Sequence, residues 1–238
     1  MWLGLDTASD RASVALGIPG RDPIEETISG ARRHAAGLLP AIERLLERSG
    51  ATLNDVSGVA LSDGPGSFTG LRVGAALAKA LVQARGLELW TAPSLMVRAA
   101  GVATPGALVL SVMNALRGEV YAAAYRFMPD EILTESVPSV HRPEALMPMQ
   151  LRPALIVGEA PAEVITSLES WAGSRVIGPP EGAPHAARLI ELVHRPGGAT
   201  RVEAVQEWAP VYGRPAEAQA RWEIVHGRPL PDSIGRHG

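Results

Sequence analysis

A glycine-rich stretch before a long helical pattern is the first place where this sequence could carry chemistry. It reads GPGSFTGLRVG, runs from Gly64 to Gly74, and follows a short apolar segment. Glycine loops before helices often hold phosphate, because free backbone N–H groups and the positive end of the helix point at one place. The stretch is therefore a candidate nucleotide-binding loop.

The details of this loop depart from the established phosphate-binding patterns. Thr69 stands where G-x-G-x-x-G has its third glycine, and Pro65 removes one backbone N–H. The single lysine, Lys79, lies inside the helical pattern instead of directly after a glycine, which excludes G-x-x-x-x-G-K-[ST] and any lysine Schiff base elsewhere. The alternative is a tight strand-to-helix turn capped by Ser67, and the residues alone slightly favour it.

A second candidate group, Asp6, Thr7 and Ser9, lies in the turn after the first apolar strand pattern. A carboxylate at such a turn can hold a metal-bound nucleotide or act as a general base. The equivalent turn in the second half of the chain begins at Asn114, which can neither act as a base nor bind a metal strongly. Turn capping by Asp6 is the alternative, and the sequence favours it over catalysis.

Histidine and cysteine give no pattern for a metal site or a peptidase. His34 lies at the start of a helical pattern, but Leu38 follows it four residues later, and H-x-x-x-H occurs nowhere in the chain. The sequence contains no H-E-x-x-H, no G-x-S-x-G and no cysteine, which removes thiolate zinc sites and cysteine nucleophiles. We therefore expect no metal site and no catalytic residue of these kinds.

The composition is that of an ordinary globular protein. Of 238 residues, 46% are hydrophobic, and the net charge of −3 gives no sign of the basic surface that a protein gripping nucleic acid alone would need. No apolar run approaches the roughly 20 residues of a membrane-spanning helix, and the sequence opens without a basic leader. These features predict a cytoplasmic protein without a membrane partner.

The apolar periodicity gives the same order of elements twice. Each half of the chain reads βββαβαβα, although the halves share little sequence, and each begins with a tight hairpin. Two such α/β lobes with a cleft between them are the architecture of the actin, sugar kinase and Hsp70 ATPase (ASKHA) superfamily, in which the turn with Asp6 faces nucleotide phosphate. The predicted division is an N-terminal lobe 1–103, a C-terminal lobe 104–205, and a C-terminal segment 206–238 with a flexible tail.

The helix that follows the glycine loop carries more apolar surface than one sheet requires. At about 100° per residue, its apolar and small residues cover roughly 220° of the circumference, whereas packing on one sheet needs little more than 100°. Arg72, Lys79 and Gln83 cluster on the remaining side. Either the helix is central in its own lobe, or one side of it meets another subunit, and the residues favour neither.

Several segments resemble the TsaB family, also called YeaZ. The most specific is the glycine stretch itself, and the resemblance spans both lobes. The matching segments are LGLDTAS (Leu3–Ser9), RRHAAGLLPAIERLL (Arg32–Leu46), GPGSFTGLRVG (Gly64–Gly74), RGEVYAAAY (Arg117–Tyr125) and PVYGR (Pro210–Arg214). The chain departs from the usual family pattern at two positions. Asn114 stands where aspartate is common, and Gly213 stands where the motif PVYLR has leucine.

The resemblance implies a function in tRNA modification. TsaB-like proteins help to make N6-threonylcarbamoyladenosine (t6A) in tRNAs that read codons beginning with A: TsaC makes threonylcarbamoyl-AMP, and TsaD, a paralogue with a metal-binding histidine pair, transfers the group to tRNA. TsaB pairs with TsaD through its first two long helices, here 34–48 and 67–85, and the ATPase TsaE joins the complex. The implied role is a non-catalytic scaffold without a cofactor of its own, with ATP or ADP and tRNA engaged through the complex.

The resemblance also implies which residues make the contact. The candidates for the TsaD contact, which in the isolated protein would pair two copies as a homodimer, are His34, Leu38, Ile42, Leu45, Arg72, Val73 and Ala76. The candidates for a weak or vestigial nucleotide site are Asp6, Thr7 and Ser9. An active ASKHA-type small-molecule kinase or ATPase is the alternative function, and a peptidase is a third that only the older labels on related proteins suggest.

Overall fold

The structure is a computed structural model of the chain, and it describes residues 1–30, 34–115, 117–146 and 151–213. The side chain of His34 is outside this description, as are Arg32, Arg33 and Arg214 of the family motifs and the predicted flexible tail. The predictions made for these positions therefore stay predictions.

The N-terminal lobe is a mixed sheet with helices packed against it. β1 and β2 form an antiparallel hairpin that β3 extends, while β4 and β5 join on the other side of β1 in parallel, because helices carry the chain back across the sheet. The elements are β1 (Trp2–Asp6), β2 (Arg11–Gly17), β3 (Ile24–Ser29), α1 (His34–Ser49), β4 (Gly58–Ser62), α2 (Phe68–Arg85), β5 (Glu88–Ala92) and α3 (Ser94–Ala100), with a 3-10 turn at Leu53–Asp55.

The C-terminal lobe repeats this arrangement. Its sheet has the strand order β10-β9-β6-β7-β8, in which β6 takes the place that β1 has in the first sheet. The predicted order βββαβαβα is confirmed along both halves of the chain. The elements are β6 (Leu108–Asn114), β7 (Val120–Phe127), β8 (Ile132–His141), α4 (Pro143–Leu146), β9 (Leu155–Glu159), α5 (Ala162–Ala172), β10 (Val176–Ile177) and α6 (Ala186–Leu192).

The end of the predicted C-terminal lobe lies on the first sheet. α6 packs against β1 and β2, and β11 (Thr200–Arg201) pairs with β5, so that the first sheet has the order β11-β5-β4-β1-β2-β3. The predicted boundary at residue 205 therefore differs from the structure, in which the chain returns to the N-terminal lobe at α6. The reason is that buried apolar residues of α6, among them Leu189 and Ile190, complete a core shared by both lobes.

No helix in the described part of the chain is long and apolar enough to cross a membrane.

Candidate functional site

The glycine loop is closed by the backbone of the β1–β2 turn. A Cβ atom at Gly66 would overlap the carbonyl oxygen of Ala8, and one at Gly70 would overlap that of Thr7. The Ser67 N–H donates to the Ala8 carbonyl at 2.7 Å. The turn therefore occupies the space in front of this helix end, and the glycines are required because two backbones meet there without room for a side chain.

The start of α2 is capped by its own loop. The Ser67 side chain accepts a hydrogen bond from the Gly70 N–H at 3.2 Å, which confirms the predicted cap. At the other end, Gly86 adopts a left-handed conformation (φ 65°) and ends the helix. The loop therefore acts as a capped strand-to-helix turn, which is the interpretation that the sequence alone slightly favoured.

Asp6, Thr7 and Ser9 lie close together but do not face an open cleft. Asp6 and Thr7 are fully buried, and Asp6 Oδ1 accepts a hydrogen bond from the Ala8 N–H at 3.2 Å. The Ser9 hydroxyl donates to the Arg11 carbonyl at 2.9 Å, inside the same turn. This geometry matches the turn-capping interpretation of Asp6.

The burial of Asp6 makes its carboxyl group easier to protonate. Burial raises its pKa, although the Ser62 hydroxyl, the Ala8 N–H and the charge of Arg98 all act in the opposite direction. Asp6 Oδ2 has no hydrogen bond of good geometry among the described residues. A fully buried carboxyl group in a closed turn leaves little room for the further oxygen ligands that a divalent cation takes.

The sequence analysis missed Asp63, which lies at the boundary between the lobes. Burial raises its pKa to about 6, and the hydrogen bond from the Thr91 side chain only partly offsets this effect. The buried Tyr125 side chain approaches it from the second lobe, and burial, together with the charge of Asp63, raises the pKa of that phenol. The sequence did contain a signal for this residue. Asp63 directly follows β4, at the same edge of the sheet where β1 ends at Asp6.

Arg98 of α3 was missed as well. Its side chain is 2% exposed, donates to the Gly182 carbonyl at 2.8 Å and forms an ion pair with Glu159 at 3.0 Å. Both acceptors belong to the C-terminal lobe, so Arg98 joins the lobes across their boundary. An arginine in a short helix gives no sequence signal of burial, because arginine is usually exposed.

The structure corrects the contact surface predicted on α1. Leu38, Ile42 and Leu45 have exposures of 1%, 2% and 0%, because they pack on the sheet of their own lobe. The prediction that these three side chains present a surface to a partner is therefore wrong for this chain. The exposed flank of α1 instead carries Leu39, at 52% exposure, together with the exposed Pro40.

On α2 the predicted residues lie at the surface: Arg72 and Ala76 are exposed and Val73 is half-buried. At about 100° per residue they share one face with three other residues. We call this face the α2 ridge; it consists of Thr69, Arg72, Val73, Ala76, Ala80 and Gln83.

The wide apolar surface of α2 is mostly covered within the chain. Gly70, Gly74 and Ala78 face the sheet, and Leu77 and Leu81 pack against the core that includes α1. Residues 202–213, which we call the C-terminal strap, run along the opposite flank, where Trp208 packs. The helix is therefore central in its lobe, and the described residues leave the α2 ridge uncovered.

Within the ranges that the structure describes, no three histidine, aspartate or glutamate residues are grouped so that they could hold a metal ion.

Two sheets of matching strand order, each opened by an antiparallel hairpin and joined by a shared core, define a two-lobed α/β protein of the ASKHA class. The family model for TsaD, tRNA N6-adenosine threonylcarbamoyltransferase, matches residues 27–163, more than half of the chain. The chain belongs to the TsaB (YeaZ) family, as its curated relatives demonstrate.

These relatives carry the name tRNA threonylcarbamoyladenosine biosynthesis protein TsaB. The Haemophilus influenzae protein is 30% identical over 95% of this chain and 97% of its own length, and the Bacillus subtilis protein is 29% identical over 92% and 96%. Escherichia coli TsaB is 35% identical, but the match spans only 52% of this chain and 54% of that protein. A Pseudomonas aeruginosa crystal structure, described as similar to peptidase YeaZ, superposes with a TM-score of 0.72 at 28% identity, over 90% of this chain and 99% of that one.

Proposed function

We propose that this chain is a non-catalytic subunit of the assembly that makes t6A in tRNAs reading codons that begin with A. The observation that carries this proposal is the closed glycine loop, whose space is filled by the Thr7 and Ala8 backbone. A glycine loop that holds nucleotide phosphate needs its backbone N–H groups and the helix end open to the ligand, and here the turn occupies that space. Membership in the TsaB family supports a role of this chain in t6A synthesis.

The partner in this proposal is a TsaD-class threonylcarbamoyltransferase, with the ATPase TsaE joining the same complex. The α2 ridge and the exposed flank of α1 form the contact surface. The ridge carries Ala76 and Ala80 beside Arg72, so that a partner helix can approach the backbone closely. ATP or ADP and the tRNA are engaged by the complex in the cytoplasm.

The same surface would pair two copies of the chain when the partner is absent. An apolar side chain such as Leu39 of α1, which is 52% exposed, is more stable when a protein surface covers it. We therefore expect a homodimer in isolation that the TsaD-class partner replaces.

A reconstituted reaction tests the proposed function. t6A formation is measured with TsaC, the TsaD-class enzyme and TsaE of the same organism, with and without this chain. We expect t6A only when the chain is present, and no ATP hydrolysis by the isolated chain. ATP turnover by the chain alone that Asp6→Ala abolishes would instead support the alternative of an active ASKHA kinase or ATPase.

A further inference from the structure

The C-terminal strap is fastened to the N-terminal lobe at several points. The Val202 N–H donates to the Leu89 carbonyl at 2.8 Å, beside β11. Further along, the Val211 N–H donates to the Asp63 carbonyl at 2.7 Å, next to the glycine loop. The strap thus runs the length of α2 and ends beside the first turn of that helix.

The only lysine of the chain holds the middle of the strap. Lys79 Nζ donates to the Gln206 carbonyl at 3.1 Å and lies 5.8 Å from the centre of the Trp208 ring. A lysine that the sequence placed on the polar side of α2 is therefore engaged inside the chain, and it fixes the path of the strap toward its last described residues.

At the end of the strap, two aromatic rings hold Arg72. The Tyr212 ring lies 4.8 Å from that of Phe68, and the Arg72 guanidinium carbon lies 4.1 Å from the centre of the Phe68 ring and 5.8 Å from that of Tyr212. Stacking on aromatic faces fixes the plane of the guanidinium but uses none of its N–H groups.

Arg72 has no acidic partner among the described residues, unlike five of the other arginines. It is exposed and forms no ion pair with any residue that the structure describes. Five other arginines do pair with glutamates: Arg44 with Glu26, Arg98 with Glu159, Arg126 with Glu135, Arg188 with Glu191 and Arg201 with Glu88. The N–H groups of Arg72 are thus held in one orientation beside the α2 ridge.

We propose that the end of the strap is part of the partner-binding surface, and that Phe68 and Tyr212 are positioning residues that hold Arg72 toward a carboxylate of the partner protein. This inference rests on the proposed function, since it concerns the same surface. A carboxylate matches the planar fork of the guanidinium. Among the described residues, Arg72 is the one cation beside the alanines of the ridge, and a single cation suits one carboxylate better than a nucleic-acid backbone, which is bound by several cations together.

The test measures the dissociation constant for the TsaD-class enzyme of the same organism at low and at high salt. The variants are Arg72→Gln, Tyr212→Leu and the double variant, with Arg175→Gln as the matched control, because Arg175 is an exposed arginine of the other lobe. We expect each single variant to weaken binding about tenfold at low salt and to flatten the salt dependence. The double variant is expected to bind no more weakly than Arg72→Gln alone, since Tyr212 acts through Arg72.

Binding of Tyr212→Leu with the parent affinity would overturn the inference, and so would losses that multiply in the double variant to about a hundredfold. Ala76→Glu separates this failure from a failure of the proposed function. If Ala76→Glu prevents binding while Arg72→Gln and Tyr212→Leu bind normally, only the role of the strap is refuted. If Ala76→Glu binds normally as well, the proposed surface itself is refuted.

Discussion

Replacing Asp63 with asparagine is expected to stabilise the protein, and to do so only above acidic pH. Burial raises the pKa of Asp63 from 3.8 to about 6, because the ionised form loses water at the boundary between the lobes. A rise of this size corresponds to about 3 kcal/mol as an upper bound, since each pKa unit is worth about 1.4 kcal/mol. Asparagine carries no charge at any pH and can still accept the hydrogen bond from Thr91.

The sign of the pH dependence follows from the raised pKa. Between pH 3.8 and 6 the folded protein retains the Asp63 proton while the unfolded chain releases it, so the free energy of unfolding falls as the pH rises. Well above pH 6, Asp63 is ionised in the folded and the unfolded protein, and the loss of stability is then complete. Asp63→Asn removes this loss, so the stability difference between variant and parent should be near zero at pH 4 and reach about 1–3 kcal/mol at pH 7.5.

Urea unfolding at a series of pH values between 4 and 8 measures this difference. The contributions of the other carboxyl groups to the pH dependence are the same in variant and parent and cancel in the comparison. Asp130→Asn, in an exposed turn of the second lobe, is the control and should change little. A stability difference that does not vary with pH, or a variant less stable than the parent at pH 7.5, would refute the account of Asp63 as a largely buried charge with no cationic partner among the described residues.

Three further substitutions test the packing around the loop and the boundary between the lobes by urea unfolding. Gly70→Ala should cost about 2–4 kcal/mol, because the added methyl group would overlap the Thr7 carbonyl; an unchanged unfolding midpoint would contradict the packing described here. Ser67→Ala should cost about 1 kcal/mol through loss of the helix cap, and Ser67→Asn should restore most of it. Arg98→Met should cost about 2–4 kcal/mol, since the Gly182 carbonyl loses its buried donor, and stability equal to the parent would contradict that role.

The order of elements could be predicted because it depends on local pattern. The period-2 alternation of RASVALG gave β2 at its observed bounds, and glycine after the periodic residues placed the end of α1 within one residue. The Ser67 cap was also predictable, since it bonds only three residues ahead. These features require no knowledge of which elements meet in space.

Tertiary contacts set the limit of the prediction. Periodicity identifies the apolar stripe of α1, but it does not say whether Leu38 faces the sheet or a partner, and the sheet is the stronger competitor because it is always present. The strap, Arg98 and the return of α6 to the first sheet all depend on residues far apart in the chain. No local sequence pattern predicts such contacts.

The central claim is that this chain contributes a surface to t6A synthesis and not a catalytic group. The most direct measurement compares t6A formation in the reconstituted system with Asp6→Asn, which keeps the shape of the buried turn, with Ala76→Glu on the α2 ridge, and with Ala145→Glu as an exposed control. We predict full activity for Asp6→Asn and Ala145→Glu, and loss of activity for Ala76→Glu with its fold intact by circular dichroism. Full activity of Ala76→Glu together with loss in Asp6→Asn would contradict the account.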